Sequence, residues 1–349
     1  MERIAGDTAG VSYEFPVLRF DGSSADAPDV YMQAALHAGE LPGVVAIHAL
    51  LPRLRKAEAE HRIRGNITIV PWANPVGRTQ YLFGDHQGRF HLGTRTNFNR
   101  DFPLLGDPAL VAELDSDDAM ATADIRLKRR LLALSMGHDI VLDLHCDDEG
   151  LPYLYVARIL WPAMADCAAA MGVEAVVLWD EDTDGTFEGA SISPYLNAPS
   201  HVARFDRRVV TTAEYRGLRD VGRDHAEHDA AGIYRLLVAR GVVDDKTLPT
   251  PGPFTGPAAP INHVEMISAP CAGAILFDVA PGDRVLAGQR LASIIHAPGD
   301  EDGATDVVAP QSGFVLTRVS RRSTRSGDDL IKLVGDSPSA SARSGALED

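Results

Sequence analysis

Cysteine is nearly absent: Cys146, Cys167 and Cys271 are the only three in a chain of 349 residues. Three thiols cannot build a disulfide framework, so a reducing, cytoplasmic setting is the expectation. Long apolar runs are missing too; none reaches the ~18 residues of a membrane-spanning helix. The opening stretch, MERIAGDTAG, lacks the apolar core of a secretory leader. Positive charge is scarce, with 33 Lys and Arg against 49 Asp and Glu and a net charge of −16. Such a surface repels phosphate backbones and anionic lipid, which argues against nucleic acid and membrane as partners. There is no G-x-S-x-G elbow, no P-loop, no G-x-G-x-x-G and no H-E-x-x-H. These absences weaken serine-hydrolase, nucleotide-binding and H-E-x-x-H metalloprotease readings.

What is present is a globular composition, 45% hydrophobic and 23% charged. At roughly 150 residues per domain the length suggests about two domains. Up to residue 245 the chain alternates strand-like and helix-like stretches. Strands are expected at Asp29–Leu36, Asn66–Trp72, Asp139–His145, Pro152–Ala157, Glu174–Trp179 and Arg208–Tyr215. Helices are expected at Gly43–Lys56, interrupted by Pro52, and at Ala123–Met136, Pro162–Met171 and His225–Arg240. Thr79–Arg100 lacks periodicity and reads as a long functional loop. This alternation implies an α/β layered domain. Residues 246–260 hold prolines at 249, 251, 253, 257 and 260 and read as a linker. Beyond it lie only short strand-like runs: Gly273–Val279, Gln289–Ile295, Gly313–Val319 and Asp329–Val334. Ala269–Leu276 is repeated as Ala309–Leu316, which suggests a small two-fold β module over residues 261–336. The tail, 337–349, is small and polar and is expected to be disordered.

One constellation carries chemistry. His37 and Glu40 follow a strand at i and i+3, so both side chains can reach a common ion. His145 ends another strand. Two imidazoles and a carboxylate form an open zinc site, and strand C-termini are where α/β sheets collect ligands. Asp143 shares a strand face with His145 and can support it from behind. Cys146 faces the other way, so burial is expected of it. His225 and His228 read as a solvated helix start, and His86 and His91 as loop residues within reach of substrate.

The segments Leu36-His37-Ala38-Gly39-Glu40-x-x-Gly43, Asn74-Pro75, Asn97-Phe98-Asn99-Arg100-Asp101-Phe102-Pro103, Asp143-Leu144-His145 and Thr212-Ala213-Glu214-Tyr215 occur in that order. Together they resemble the succinylglutamate desuccinylase/aspartoacylase family over about residues 28–245. The sequence departs from it at Ala38-Gly39, where the family more often has Gly-Asp. The resemblance implies a zinc-carboxypeptidase-like mixed sheet with flanking helices. It implies one Zn2+ per chain on His37, Glu40 and His145. Glu214 would be the general base that activates water and then protonates the leaving amine. Asn99 and Arg100 would grip a substrate carboxylate, for which a guanidinium fork suits. An arginine would steady the oxyanion; Arg89 and Arg95 both qualify, and Arg89 is slightly preferred.

The paired Ala-Pro-x-x-Gly segments resemble biotinyl/lipoyl-type domains. Ile294–Asp306, where the modified lysine would sit, contains no lysine, so no covalent cofactor is expected. His263-x-Glu265 reads as structural, and the module is expected to shape or cover the cleft. The expected activity is zinc-dependent removal of an acyl group from an N-acyl amino acid or similar small amide. The alternatives are a metallocarboxypeptidase acting on peptides and a non-catalytic metal- or ligand-binding protein. A homo-oligomer is compatible with the sequence.

Overall fold

The computed structural model describes residues 1–115, 120–180, 185–342 and 347. Its centre is a mixed eight-stranded sheet. The strands are β1 (Leu18–Phe20), β2 (Val30–Ala34), β3 (Ile67–Val70), β4 (Ile140–Asp147), β5 (Tyr153–Ala157), β6 (Ala175–Trp179), β7 (Val209–Gly217) and β8 (Ala258–Pro260). Their order is β8-β6-β5-β7-β4-β2-β3-β1. Only β5–β7 and β3–β1 are antiparallel. The central strands β2, β3 and β4 are buried almost throughout, as parallel strands covered on both faces must be.

Helix α1 (Pro42–Ala59) covers one face together with α5 (Arg223–Ala239). Its Ile47, Leu50 and Leu54 are fully buried, each contributing roughly 1.5–3 kcal/mol by leaving water. Pro52 does not end the helix. It lies on the solvent side, so water can serve the carbonyl whose intrahelical bond it removes. Three further helices are α2 (Ala123–Ser135), α3 (Ala165–Met171) and α4 (Phe187–Leu196). α4 packs on β4 and β7, with Phe187 against Tyr31.

Gly43 shows how tightly α1 is seated. A Cβ there would lie 2.6 Å from Leu144 Cβ and 3.1 Å from Ala34 Cβ. Gly43→Ala is therefore expected to cost about 1–3 kcal/mol and to push the helix off β4. Chemical denaturation would check this; an unchanged midpoint would contradict it.

The structure departs from the expectations at four points. Thr79–Arg100 is not structureless: Tyr81–Leu82 pairs with Asp85–His86, and Phe90 bridges Asn97. The expected linker ends in a strand, because Ala258–Pro260 adds in parallel to the edge of β6. An edge tolerates Pro260, since its missing N–H faces no partner strand. The tail makes contacts where it is described. Ser339 Oγ donates to Glu265 Oε2 at 2.6 Å, and Leu347 is buried. Residues 343–346, 348 and 349 lie outside the described residues. The expected helix at Pro162 starts at Ala165, the preceding residues being spent on a turn.

The C-terminal strands are β9 (Val264–Ser268), β10 (Gly273–Phe277), β11 (Arg284–Val285), β12 (Arg290–Ile295), β13 (Ala304–Val308), β14 (Gly313–Arg318), β15 (Ser323–Thr324) and β16 (Asp329–Gly335). They form two antiparallel sheets, β9-β16-β14-β11 and β13-β12-β10-β15. The repeated glycines have a common cause. A Cβ would meet the Ile295 carbonyl oxygen at 2.3 Å from Gly273 and that of Val334 at 2.2 Å from Gly313. Glu265 accepts from Gln311 in the second repeat at 2.8 Å, a structural use. Glu149–Gly150 pairs with β14, tying the module to the central sheet. Among the described residues no helix is long and apolar enough to cross a membrane.

Candidate active site

Register on the central sheet builds the site. Gln33, Asp143, Thr212 and Tyr155 are neighbours across β2, β4, β7 and β5; His145, Glu214 and Tyr153 form the next row. Residues opposite one another share a sheet face, so these polar groups project together. The face carrying Leu144 is the one that α1 covers.

His37 comes from the turn after β2. Ala35 takes a φ of 58°, a left-handed conformation that costs about 1–2 kcal/mol in a non-glycine residue. Asn74 fixes the turn from outside. Its Oδ1 caps a short helix by accepting from Gly77 N at 2.7 Å, and its Nδ2 donates to the Leu36 carbonyl at 2.8 Å. This explains the Asn74-Pro75 motif.

The three expected ligands converge. One ligand atom each from His37, Glu40 and His145 lies within 4.8 Å of the others, and all three residues are buried. His37 Nδ1 is 2.8 Å from Glu40 Oε1, and His145 Nδ1 is 2.8 Å from Glu40 Oε2. The opposite ring atoms are held from behind: His37 Nε2 by Asn97 Oδ1 at 2.8 Å, His145 Nε2 by Asp143 Oδ2 at 2.9 Å. Asp143 in turn accepts from Gln33 Nε2 at 3.0 Å, and the Tyr31 hydroxyl donates to Gln33 Oε1 at 2.7 Å. With each Nε2–H given to an acceptor, both Nδ1 lone pairs turn toward Glu40, the arrangement a metal-ligating histidine needs.

The electrostatics ask for positive charge. Burial opposes the Glu40 carboxylate, yet the two imidazoles hold its pKa well below the ordinary value. Burial also opposes a charged His145, but Asp143 and Glu40 outweigh it and raise its pKa well above the ordinary value. His37 is shifted down by burial, with Arg89 adding to the effect and Glu40 opposing it. A divalent cation satisfies the same carboxylates without a second proton on either imidazole. The donor set, two nitrogens and a carboxylate, suits zinc.

Glu214 is half-buried, and its shielded Oε2 has no hydrogen-bond partner. Burial pushes its carboxyl up to about 8; His145 opposes the shift and Glu40 adds to it. It lines the same cavity as the three ligands, a space of about 910 Å³. Arg89 Nη1 lies 3.5 Å from Glu40 Oε1 and lines this cavity. Arg95 is exposed at the tip of its loop and does not. Asn99 and Arg100 both line it. Asn99 Oδ1 is committed to Phe187 N at 2.8 Å, which leaves its Nδ2 for a ligand.

Other expected residues separate. His86 lines the cavity, whereas His91 is buried away from it against Thr94 and Asp124; its reach to substrate is corrected. His225 and His228 are solvent-exposed. Cys146 is buried, its backbone N–H donates to Glu40 Oε2 at 3.2 Å, and burial raises its thiol pKa. The role of Asn97 has no signal in its own motif, because nothing local says that its loop returns beside His37. Lys332, Arg321 and Arg325 of the C-terminal module also line the cavity. Lys332 pairs with buried Asp147 there.

A sequence profile of the succinylglutamate desuccinylase/aspartoacylase catalytic domain matches residues 26–239. A solved structure of a protein of that family from Shewanella amazonensis superposes with a TM-score of 0.83 at 26% identity, covering 96% of this chain and 98% of that one. The ectoine utilization protein EutE (DoeB) from Ruegeria pomeroyi, in a product-bound structure, has the same fold: TM-score 0.69, 19% identity, 95% and 92% covered. No curated protein is significantly similar in sequence. The chain belongs to the succinylglutamate desuccinylase/aspartoacylase family, a family of deacylase hydrolases.

Proposed function

We propose that this protein hydrolyses the amide bond of an N-acyl amino acid or related small N-acyl compound, with one zinc ion held by His37, Glu40 and His145. The observation that carries this reading is the convergence of those three buried ligands within 4.8 Å, in one cavity with Glu214. When bound, the ion lowers the pKa of water and polarises a carbonyl oxygen.

The chain's own residues do the rest. Glu214 takes a proton from the attacking water and delivers it to the amide nitrogen as the C–N bond breaks. Its raised pKa suits it to hold that proton between the two events. The Arg89 guanidinium faces the ligand cluster and supplies positive charge for the developing oxyanion. Arg100 and the free Nδ2 of Asn99 hold the substrate carboxylate. Residues 1–245 thus form the catalytic part, and residues 261–336 narrow its entrance. The cavity walls contributed by Arg321, Arg325 and Lys332 favour a small charged substrate over a long peptide.

The test is a panel of N-acetyl and N-succinyl amino acids, dipeptides and longer peptides offered to the zinc-loaded protein. Release of amine from the acyl amino acids is expected. Preference for long peptides, or no hydrolysis with a filled metal site, would overturn the reading.

A further inference from the structure

Four buried side-chain atoms without a hydrogen-bond partner belong to residues that line the cavity: Trp179 Nε1, Glu188 Oε2, Thr212 Oγ1 and Glu214 Oε2. Buried polar atoms are almost always paired, so such a group needs an explanation. Glu214 has one in the proposed chemistry. The other three do not.

Glu188 is the most costly of them. It sits in the first turn of α4, is 8% exposed, and no Lys or Arg among the described residues forms an ion pair with it. The α4 terminus is fixed in place by the Asn99–Phe187 bond and by Thr186, whose Oγ1 accepts from Gly189 N at 3.2 Å. The helix turn that carries Glu188 is therefore held in place. Burial raises the Glu188 pKa and Asp143 adds to the effect, while its own backbone N–H, the neighbouring Thr212 and His145 oppose it. Other acids lining the cavity are answered within the protein: Asp147 by Lys332, Asp328 by Arg321 and Arg325. Tyr155 and Trp179, both lining the cavity, lie on the same sheet face as Thr212. A carboxylate and a hydroxyl in one cavity with aromatic rings is the chemistry that receives an alkylammonium group.

We propose that Glu188, with Trp179 and Thr212, forms a subsite for a cationic nitrogen, so that the preferred substrate is the N-acyl derivative of a diamine or basic amino acid. This rests on the deacylase reading for its reaction, but not for its binding chemistry. Glu188 determines specificity; it takes no part in the bond cleavage.

The test compares Nα-acetyl-lysine with Nα-acetyl-norleucine, which has a similar carbon chain and no ammonium group. Wild type is expected to favour the lysine compound in kcat/KM by roughly tenfold to a hundredfold, the range for a hydrogen bond to a charged group. In Glu188→Gln that ratio should fall to about one. A structural defect would lower both rates and leave the ratio intact, which would overturn the proposal. Calorimetric binding of L-lysine and L-norleucine gives a second readout. A lysine preference that vanishes in the variant supports the subsite even if neither amide is hydrolysed, and the deacylase reading alone would then fail. Equal binding of the two amino acids by wild type, or a norleucine preference, would overturn the subsite.

Discussion

Replacing Glu214 by Gln is expected to lower kcat by roughly 10²–10⁴-fold, the span of general acid–base contributions, while the protein stays folded. Glutamine keeps the volume and loses only the ability to take and return a proton. Its effect on stability should even be favourable. The Glu214 carboxyl is buried, its Oε2 is unpartnered, and its pKa stands at about 8 rather than near 4.5. Between those values the folded chain holds a proton that the unfolded chain has released. Stability from this group is therefore complete below about pH 4.5 and is lost as pH rises through about 8. In chelated protein, urea unfolding of wild type should weaken across that window relative to Glu214→Gln. A stability difference that does not change with pH would contradict the assignment of that buried charge. Retention of most of the activity would remove Glu214 from the reaction.

Replacing His145 by Ala is expected to abolish both tight metal binding and turnover. It removes one of three ligand atoms and leaves Asp143 and Glu40 buried without the imidazole between them. Breaking a buried charge pair in this way costs about 3–5 kcal/mol, so lost activity alone would be ambiguous. Asn97→Ala provides the contrast. It deletes the acceptor behind His37 Nε2, an oxygen that also accepts from Asn99 N at 2.8 Å, and metal affinity should fall roughly 10–100-fold, as for other groups that orient ligands. Competition against a chromophoric chelator measures both. Equal affinity in Asn97→Ala and wild type would mean that the His37 ring is fixed by something else.

The sequence made the ligands legible because each lies beside a strong local signal: an apolar strand before His37 and another ending at His145. It also exposed the two-fold β module, since a repeated Ala-Pro-x-x-Gly is a local pattern with a steric cause. What it hid depends on contacts between distant segments. Asn97 reaches His37 only because the loop after residue 79 folds back as a hairpin and a bridge, and no periodicity announces that return. Glu188 carries no local signal, since its place in the cavity depends on the sheet beneath its helix. Proline-rich 246–260 read as a linker because proline donates no hydrogen bond. An edge strand needs donors on one side only, so its last three residues could join the sheet. Leu347, in a tail of small polar residues, is buried with Tyr153 and Val177, a contact that no local pattern encodes.

The most direct measurement is anomalous X-ray diffraction at the zinc edge on crystals of the zinc-loaded protein, with metal content per chain determined on the same sample. One ion per chain, within ordinary coordination distance of His37 Nδ1, Glu40 and His145 Nδ1, is the expected result. A zinc peak elsewhere, or imidazoles standing more than about 6 Å apart with no ion between them, given Zn–N lengths of about 2.0–2.1 Å, would contradict it.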